Sequence, residues 1–181
     1  VRGVRVRVGG AVRAIGARRA VVIATGGFPW DPARRAIPGV EPGVNWSMTP
    51  SSNTGDGIRI AEEAGAAFVE APADQALWAP VSVWRKADGS ETRFPHLIWD
   101  RAKPGLIAVD GTGRRFVNEG TSYHEFVRAM LRTNETRPAV PACLIADRAF
   151  VDVWGLGLAL PGKRPRAHLI RDGYLVEAGT I

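Results

Sequence analysis

Residues 20–28 read Ala-Val-Val-Ile-Ala-Thr-Gly-Gly-Phe, a continuously apolar run, β-branched at its centre, that ends in a glycine pair. Apolar residues without alternation are expected of a strand covered on both faces. Ligands of open α/β sheets settle outside the carboxyl ends of strands, so Thr25-Gly26-Gly27 stands where a ligand is met and where backbone can approach it closely. Read alone, Gly26-Gly27 serves equally well as a sharp turn.

Upstream of this run, valine alternates with arginine from Val4 to Val8, the period-2 pattern of a half-exposed strand, and Gly9-Gly10 supplies a turn before Ala11 to Ile15. A β-hairpin is expected there. Downstream, after a proline-rich loop, Ser51-Ser52-Asn53-Thr54 offers N-cap candidates for a helix over about Gly57 to Ala64, with Ile58, Ala61 and Ala64 as its buried stripe and Gly65 as its C-cap. Ala67-Phe68-Val69 then reads as the start of another strand.

From about Pro72 the texture turns rich in tryptophan and proline, which places a domain boundary between 72 and 73. Leu106 to Val109, the turn Asp110-Gly111-Thr112-Gly113, and Arg115-Phe116-Val117 read as a hairpin. Thr121 or Ser122 caps a helix through Glu125, Phe126, Ala129 and Met130. Cys143 to Ile145 reads as a strand, and Ala149 to Trp154 as a short helix broken at Gly155-Leu156-Gly157. The sum is an α+β chain without internal repeats.

Composition narrows the function. With 45% hydrophobic and 23% charged residues the chain can bury a core. Its longest apolar run, Ala20 to Ala24, is far short of the roughly 20 residues of a membrane span, and no signal peptide opens the sequence, so a cytoplasmic protein without a membrane span is expected. The net charge of +6 is spread over scattered arginines, with neither the stacking aromatics nor the reading helix of a nucleic-acid binder. One cysteine, Cys143, and three histidines without metal-ligand spacing give no metal site.

The second glycine motif is Asn53-Thr54-Gly55-Asp56-Gly57, two glycines around an acid at a helix start, where exposed N–H groups favour hydrogen-bond acceptors. Asp56 can accept hydrogen bonds from a ligand's hydroxyl or amide groups, or can simply complement the helix dipole. The order of the pieces carries more than any one of them: V-V-I-A-T-G-G-F, a proline-rich spacer, N-T-G-D-G-I-x-I-A-x-x-A-G-A, then G-x-R-F-V-N-E. This set resembles the flavoprotein superfamily of fumarate reductase, succinate dehydrogenase, aspartate oxidase and the 3-ketosteroid dehydrogenases.

The resemblance implies part of an FAD-binding Rossmann-like domain in residues 1–72 and an inserted α+β capping domain, partly present, in residues 73–181. It implies that Ala24, Thr25, Gly26 and Gly27 lie along FAD and that Asp56 touches the cofactor. The cap would close over the flavin, which itself carries the redox chemistry.

After Asn118-Glu119 the superfamily's dicarboxylate enzymes carry an arginine; here the segment is Thr121-Ser122-Tyr123-His124-Glu125. The string R-F-V-N-E-x-x-x-Y-x-x-F-x-x-A-M is instead similar to the 3-ketosteroid 1-dehydrogenases, which makes Tyr123 the candidate catalytic residue. The implied reaction moves hydride between flavin and a carbon–carbon bond beside a carbonyl, with 3-ketosteroid desaturation as the specific instance and a small apolar ketone as substrate. Fumarate-reductase-like reduction of an unsaturated acid, a binding module, and an inactive flavoprotein remnant are the alternatives. Structurally, Tyr123 could be only an amphipathic ring at a helix start with its hydroxyl satisfied by backbone or water. Trp78, Trp84 and Trp99 could line an apolar cavity or fill a core, and His96 reads as a core or loop histidine.

No G-x-G-x-x-G follows an opening strand, so the reading expects the main dinucleotide fold to precede Val1 and the isolated chain to bind FAD weakly or not at all without the remainder of the flavoprotein.

Overall fold

A computed structural model of the chain describes residues 1–35, 46–69 and 77–180. These fall into two compact units, Val1–Ala36 with Thr49–Ala71 and Ile37–Met48 with Pro72–Ile181.

In the first unit the valine-arginine alternation becomes β1 (Gly3–Val8), which pairs antiparallel with β2 (Ala11–Gly16), Val4 facing Ile15 and Val8 facing Ala11. Gly9 and Gly10 make the turn at φ of 55° and 83°. Two successive positive φ values match the twist of a two-residue hairpin and call for glycine. Helix α1 (Asp56–Glu63) follows one residue earlier than its sequence pattern predicts, with Gly55 and not a serine or asparagine at the N-cap. It closes where Gly65 was expected to stop it: the Ala66 amide donates to Ala61 O and the Gly65 amide to Glu62 O, the paired bonds of a Schellman ending.

Two expected strands are absent. Ala20 to Ala24 forms none, and Val22 and Ile23 are 86% and 45% exposed. A strand exists only within a ladder, and no described segment runs beside this one to exchange hydrogen bonds with it. Ala67-Phe68-Val69 also forms no strand; Phe68 packs edge-on against Phe28, ring centres 6.1 Å apart, with Arg34 over its face.

The second unit holds β3 (Val81–Arg85) antiparallel to β4 (Glu91–Pro95), the short helix α2 (Ile98–Arg101), β5 (Leu106–Val109), α3 (Tyr123–Asn134), β6 (Cys143–Ala146), α4 (Arg148–Trp154) and α5 (Ala167–Arg171). The partner of β5 is β6, Leu106 opposite Ala146 and Val109 opposite Cys143, and not the expected Arg115-Phe116-Val117. That segment touches β5 through one bridge, Val109 to Arg115, because Arg115 turns to Glu119 and Phe116 packs on Phe126 of α3. Leu106, Phe150, Val151, Ala159 and Leu169 form the core, with Trp84, Leu144 and Tyr174 packed against it. The chain is thus α+β, with small antiparallel sheets and short helices.

Candidate functional site

The two glycine motifs, 29 residues apart in their T-G dipeptides, meet in the first unit. The Gly55 amide donates to Gly27 O at 3.2 Å and the Trp30 amide to Asn53 O at 3.0 Å. The approach is close enough that side chains are excluded: a Cβ on Gly26 would lie 2.5 Å from Asn53 Oδ1, and one on Gly57 would lie 2.2 Å from Thr25 Oγ1 and 2.7 Å from Ile23 Cγ2. Glycine at 26 and 57 is therefore what allows the loops to seat on each other.

The resulting cradle presents donors. The amides of Thr25, Gly26 and Gly27 donate to no described group, and the first turn of α1 has no side-chain cap. Asp56 stays 62% exposed, accepting from Thr54 Oγ1 at 3.2 Å and from Arg59. A glycine backbone with uncommitted amides beside an exposed carboxylate matches what FAD asks of a protein, acceptors met by N–H groups and hydroxyls met by an acid, so the residues present fit the cofactor. Ala24, just before the turn, is exposed.

Sequence reasoning missed the ion pairs behind this cradle. Arg59 donates to Thr54 O at 2.7 Å and lies 3.3 Å from Asp31, a residue 9% exposed. Arg34 lies 3.6 Å from Asp31 and 2.6 Å from Glu62. Arg34 reads in the sequence as one of the scattered arginines; only the fold brings Asp31 beneath it and Arg59.

In the second unit Tyr123 is the first residue of α3, whose N-cap is Ser122 as expected, its Oγ accepting from the Glu125 amide at 3.2 Å. The ring is half-buried, and the hydroxyl makes no hydrogen bond with any described residue. Its neighbours are otherwise engaged: His124 Nδ1 accepts from the Trp78 amide at 3.3 Å, and Glu125 pairs with Arg128 at 3.1 Å.

The segment that delivers Tyr123 is held by three buried charges. Asp110 Oδ1 accepts from the Thr112 hydroxyl and the amides of Thr112 and Arg114, and Oδ2 from Arg137 at 2.8 Å. These bonds, led by the Thr112 hydroxyl, hold its carboxyl well below the usual range against the opposing effect of burial. Glu119, 6% exposed, accepts from Arg115 through both oxygens and from the Ala108 amide at 2.8 Å. Burial alone would raise its pKa, but Arg115 and the amide outweigh it and bring the value to about 2.

Arg101 shows no exposure, donates to His96 O at 3.0 Å, Glu119 O at 2.8 Å and Thr121 O at 3.3 Å, and stacks on the Phe126 ring at 4.3 Å. Removal from water lowers its pKa, with Asp100 and Glu119 opposing.

Because the folded pKa of Glu119 lies below its ordinary 4.5, its contribution to stability is complete above that value and is lost as pH falls from about 4.5 to about 2. Glu119→Gln should cost about 2 kcal/mol at neutral pH and flatten this acid limb, as read from urea midpoints against pH; an unchanged limb would assign the loss to other carboxylates.

His96, read as a core or loop histidine, is buried in a hydrogen-bond chain. Its Nδ1 lies 2.5 Å from Asp100 Oδ2 and its Nε2 2.7 Å from Ser82 Oγ, which lies 2.6 Å from the Tyr174 hydroxyl; that hydroxyl accepts from the Leu158 amide at 3.1 Å. With the proton on Nδ1 every member has a partner, Tyr174 donating to Ser82 and Ser82 to His96. The chain ties β3, α2 and residues 157–174 together. Of the tryptophans, Trp84 packs on the core with its Nε1 3.1 Å from Asp172, while Trp99 is 78% exposed.

A family model described as "FAD binding domain" matches residues 1–171. The 4-oxocyclohex-2-ene-1-carboxylate 5-dehydrogenase of Sinomonas cyclohexanicum is 36% identical over 169 residues, 91% of this chain and 28% of that protein. The 3-oxosteroid 1-dehydrogenase of Mycobacterium tuberculosis is 30% identical over 92% of this chain and 29% of its own length. Among solved structures, the 3-ketosteroid delta1-dehydrogenase of Sterolibacterium denitrificans, in complex with 1,4-androstadiene-3,17-dione, superposes with a TM-score of 0.69 at 33% identity over 93% of this chain and 30% of that one. The chain spans less than a third of the length of the curated relatives it matches. Among the described residues no helix is long and apolar enough to cross a membrane.

Proposed function

The chain belongs to the FAD-binding-domain family, and on that premise we propose that it is part of an FAD-dependent dehydrogenase that oxidises a carbon–carbon bond next to the carbonyl of a cyclic ketone. The observation that carries this reading is the half-buried phenol of Tyr123, its hydroxyl uncommitted among the described residues, on a segment fixed by Arg101, Asp110 and Glu119. The relatives named above act, by their names, on ring ketones.

Residues 1–72 would form one wall of the cofactor site, with Ala24 to Gly27 meeting FAD through backbone and Asp56 accepting from its hydroxyl or amide groups. Residues 73–181 would belong to a cap over it. FAD, when bound, supplies the two-electron acceptor. Tyr123, as its phenolate, would take the proton from the carbon beside the polarised ketone, the hydride of the neighbouring carbon going to that acceptor, and the fixed segment keeps the phenol oxygen within reach of that carbon. Apolar surface of the cap keeps water from the reacting carbon.

An anaerobic visible spectrum of the full-length protein tests the reading. Adding a saturated 3-ketosteroid, or separately 4-oxocyclohexanecarboxylate, should bleach the flavin band with one of the two. Bleaching by the steroid alone assigns the larger substrate and bleaching by the carboxylate alone the smaller. A flavin band that neither changes removes cyclic ketones as the substrate class.

A further inference from the structure

The loop from Pro161 to Arg166 carries the sequence Pro-Gly-Lys-Arg-Pro-Arg, and neither glycine motif nor Tyr123 accounts for it. It joins the end of the core to α5 and is pinned to α4 twice: the Gly162 amide donates to Asp152 O at 2.8 Å, and Arg166 pairs with the Asp152 carboxylate, both side chains about four-fifths covered. Prolines at 161 and 165 restrict the backbone on either side. Between them Lys163 is held at a φ of 55°, in the left-handed region that few side-chain-bearing residues adopt.

This loop, α4 and α5 border an open concavity of about 430 Å³ whose wall carries Arg148, Lys163, Arg164 and Arg166 against Asp152 and Glu177. Asp152 engages Arg166 and Glu177 engages Arg148. Lys163 and Arg164 are exposed and have no partner among the described residues.

From this placement we propose that the concavity between α4, α5 and the 161–166 loop binds the phosphate group of a small phosphorylated molecule, with Lys163 and Arg164 as its ligands. The charge balance selects the anion. Four cations less two carboxylates leave two positive charges, which a phosphomonoester neutralises at about −1.5 to −2, whereas a monocarboxylate leaves one unmet. A guanidinium fork beside an ammonium is the donor set that suits a tetrahedral oxyanion. The volume is that of a small-molecule site, and Ile170 supplies an apolar wall for the rest of such a ligand. Because the loop is pinned and proline-flanked, little backbone freedom is lost on binding, which favours affinity. This site lies outside both glycine motifs and does not depend on the dehydrogenase reading.

Calorimetric titration of the protein with inorganic phosphate near pH 8, and with acetate at matched ionic strength, tests it. Phosphate should bind saturably at one site and more tightly than acetate. Lys163→Gln with Arg164→Gln should weaken it at least about tenfold, while the charge-matched pair Arg5→Gln with Arg7→Gln on the exposed β1 strand should change it less than about twofold. All four side chains are at the surface, so both variants keep the fold. Equal loss in the two variants would reduce the effect to net charge and overturn the site. So would phosphate binding that never saturates, that acetate matches, or that survives the Lys163 and Arg164 changes.

Discussion

An Arg101→Met protein is expected to unfold with about 2–4 kcal/mol less stability, read as a lower urea midpoint at unchanged m-value. Methionine keeps most of the length and packing of the side chain but none of its donors. The carbonyls of His96, Glu119 and Thr121 would each lose a charge-assisted hydrogen bond, the first two buried and the third partly so. Each buried acceptor left unmet costs about 1–3 kcal/mol, and the sum is reduced because the variant no longer carries a guanidinium out of water. Loss of the stacking on Phe126 adds to the cost. Arg101→Lys restores the charge but not the fork, so it should recover less than half of the loss. Arg85→Met is the control: that side chain is 71% exposed in its pair with Glu91, and its replacement should shift the midpoint by less than about 0.5 kcal/mol. If Arg101→Met matched this control, the segment before Tyr123 would owe its order to Asp110 and Glu119 alone.

The same residue shows how far the sequence could be read. Local signals carried their elements: valine-arginine alternation gave the β1/β2 hairpin, Ser122 capped α3, and Gly155 ended α4. Each rests on interactions within a few residues. Ala20 to Ala24 failed as a strand for the opposite reason, since its apolar run specifies burial between neighbours that no described segment provides. The hairpin partner of β5 was misread because Arg115 has a stronger use, holding Glu119 through both carboxylate oxygens, than continuing a ladder.

The motifs Thr25-Gly26-Gly27 and Thr54-Gly55-Asp56-Gly57 were legible as a pair by their order, and the structure adds that they touch, with no room for a Cβ at 26 or 57. What no local pattern announced are the long-range charges: Asp31 under Arg34 and Arg59, Arg101 among carbonyls up to 20 residues away, and the Asp100-His96-Ser82-Tyr174 chain, whose ends are 74 residues apart in sequence. A buried arginine or histidine has the same letter as an exposed one; only its partners distinguish them.

Tyr123→Phe is expected to slow substrate-dependent flavin reduction by about 10²–10⁴-fold, the range that a positioned general base contributes. The change removes one oxygen. Because the Tyr123 hydroxyl bonds to no described group, its loss should leave the urea midpoint within about 0.5 kcal/mol of the parent, and the ring should go on packing as before. Substrate affinity, measured by spectral perturbation before reduction, should hardly change, because the phenol oxygen meets only the reacting carbon's C–H in the ground state, so the effect falls on the chemical step and not on binding. A tyrosine that served only to close the helix N-terminus would give the reverse pattern, a shift in stability with turnover retained. Full turnover in Tyr123→Phe would therefore remove the phenol from the reaction while leaving the proposed cofactor role of Gly26, Gly27 and Asp56 untouched.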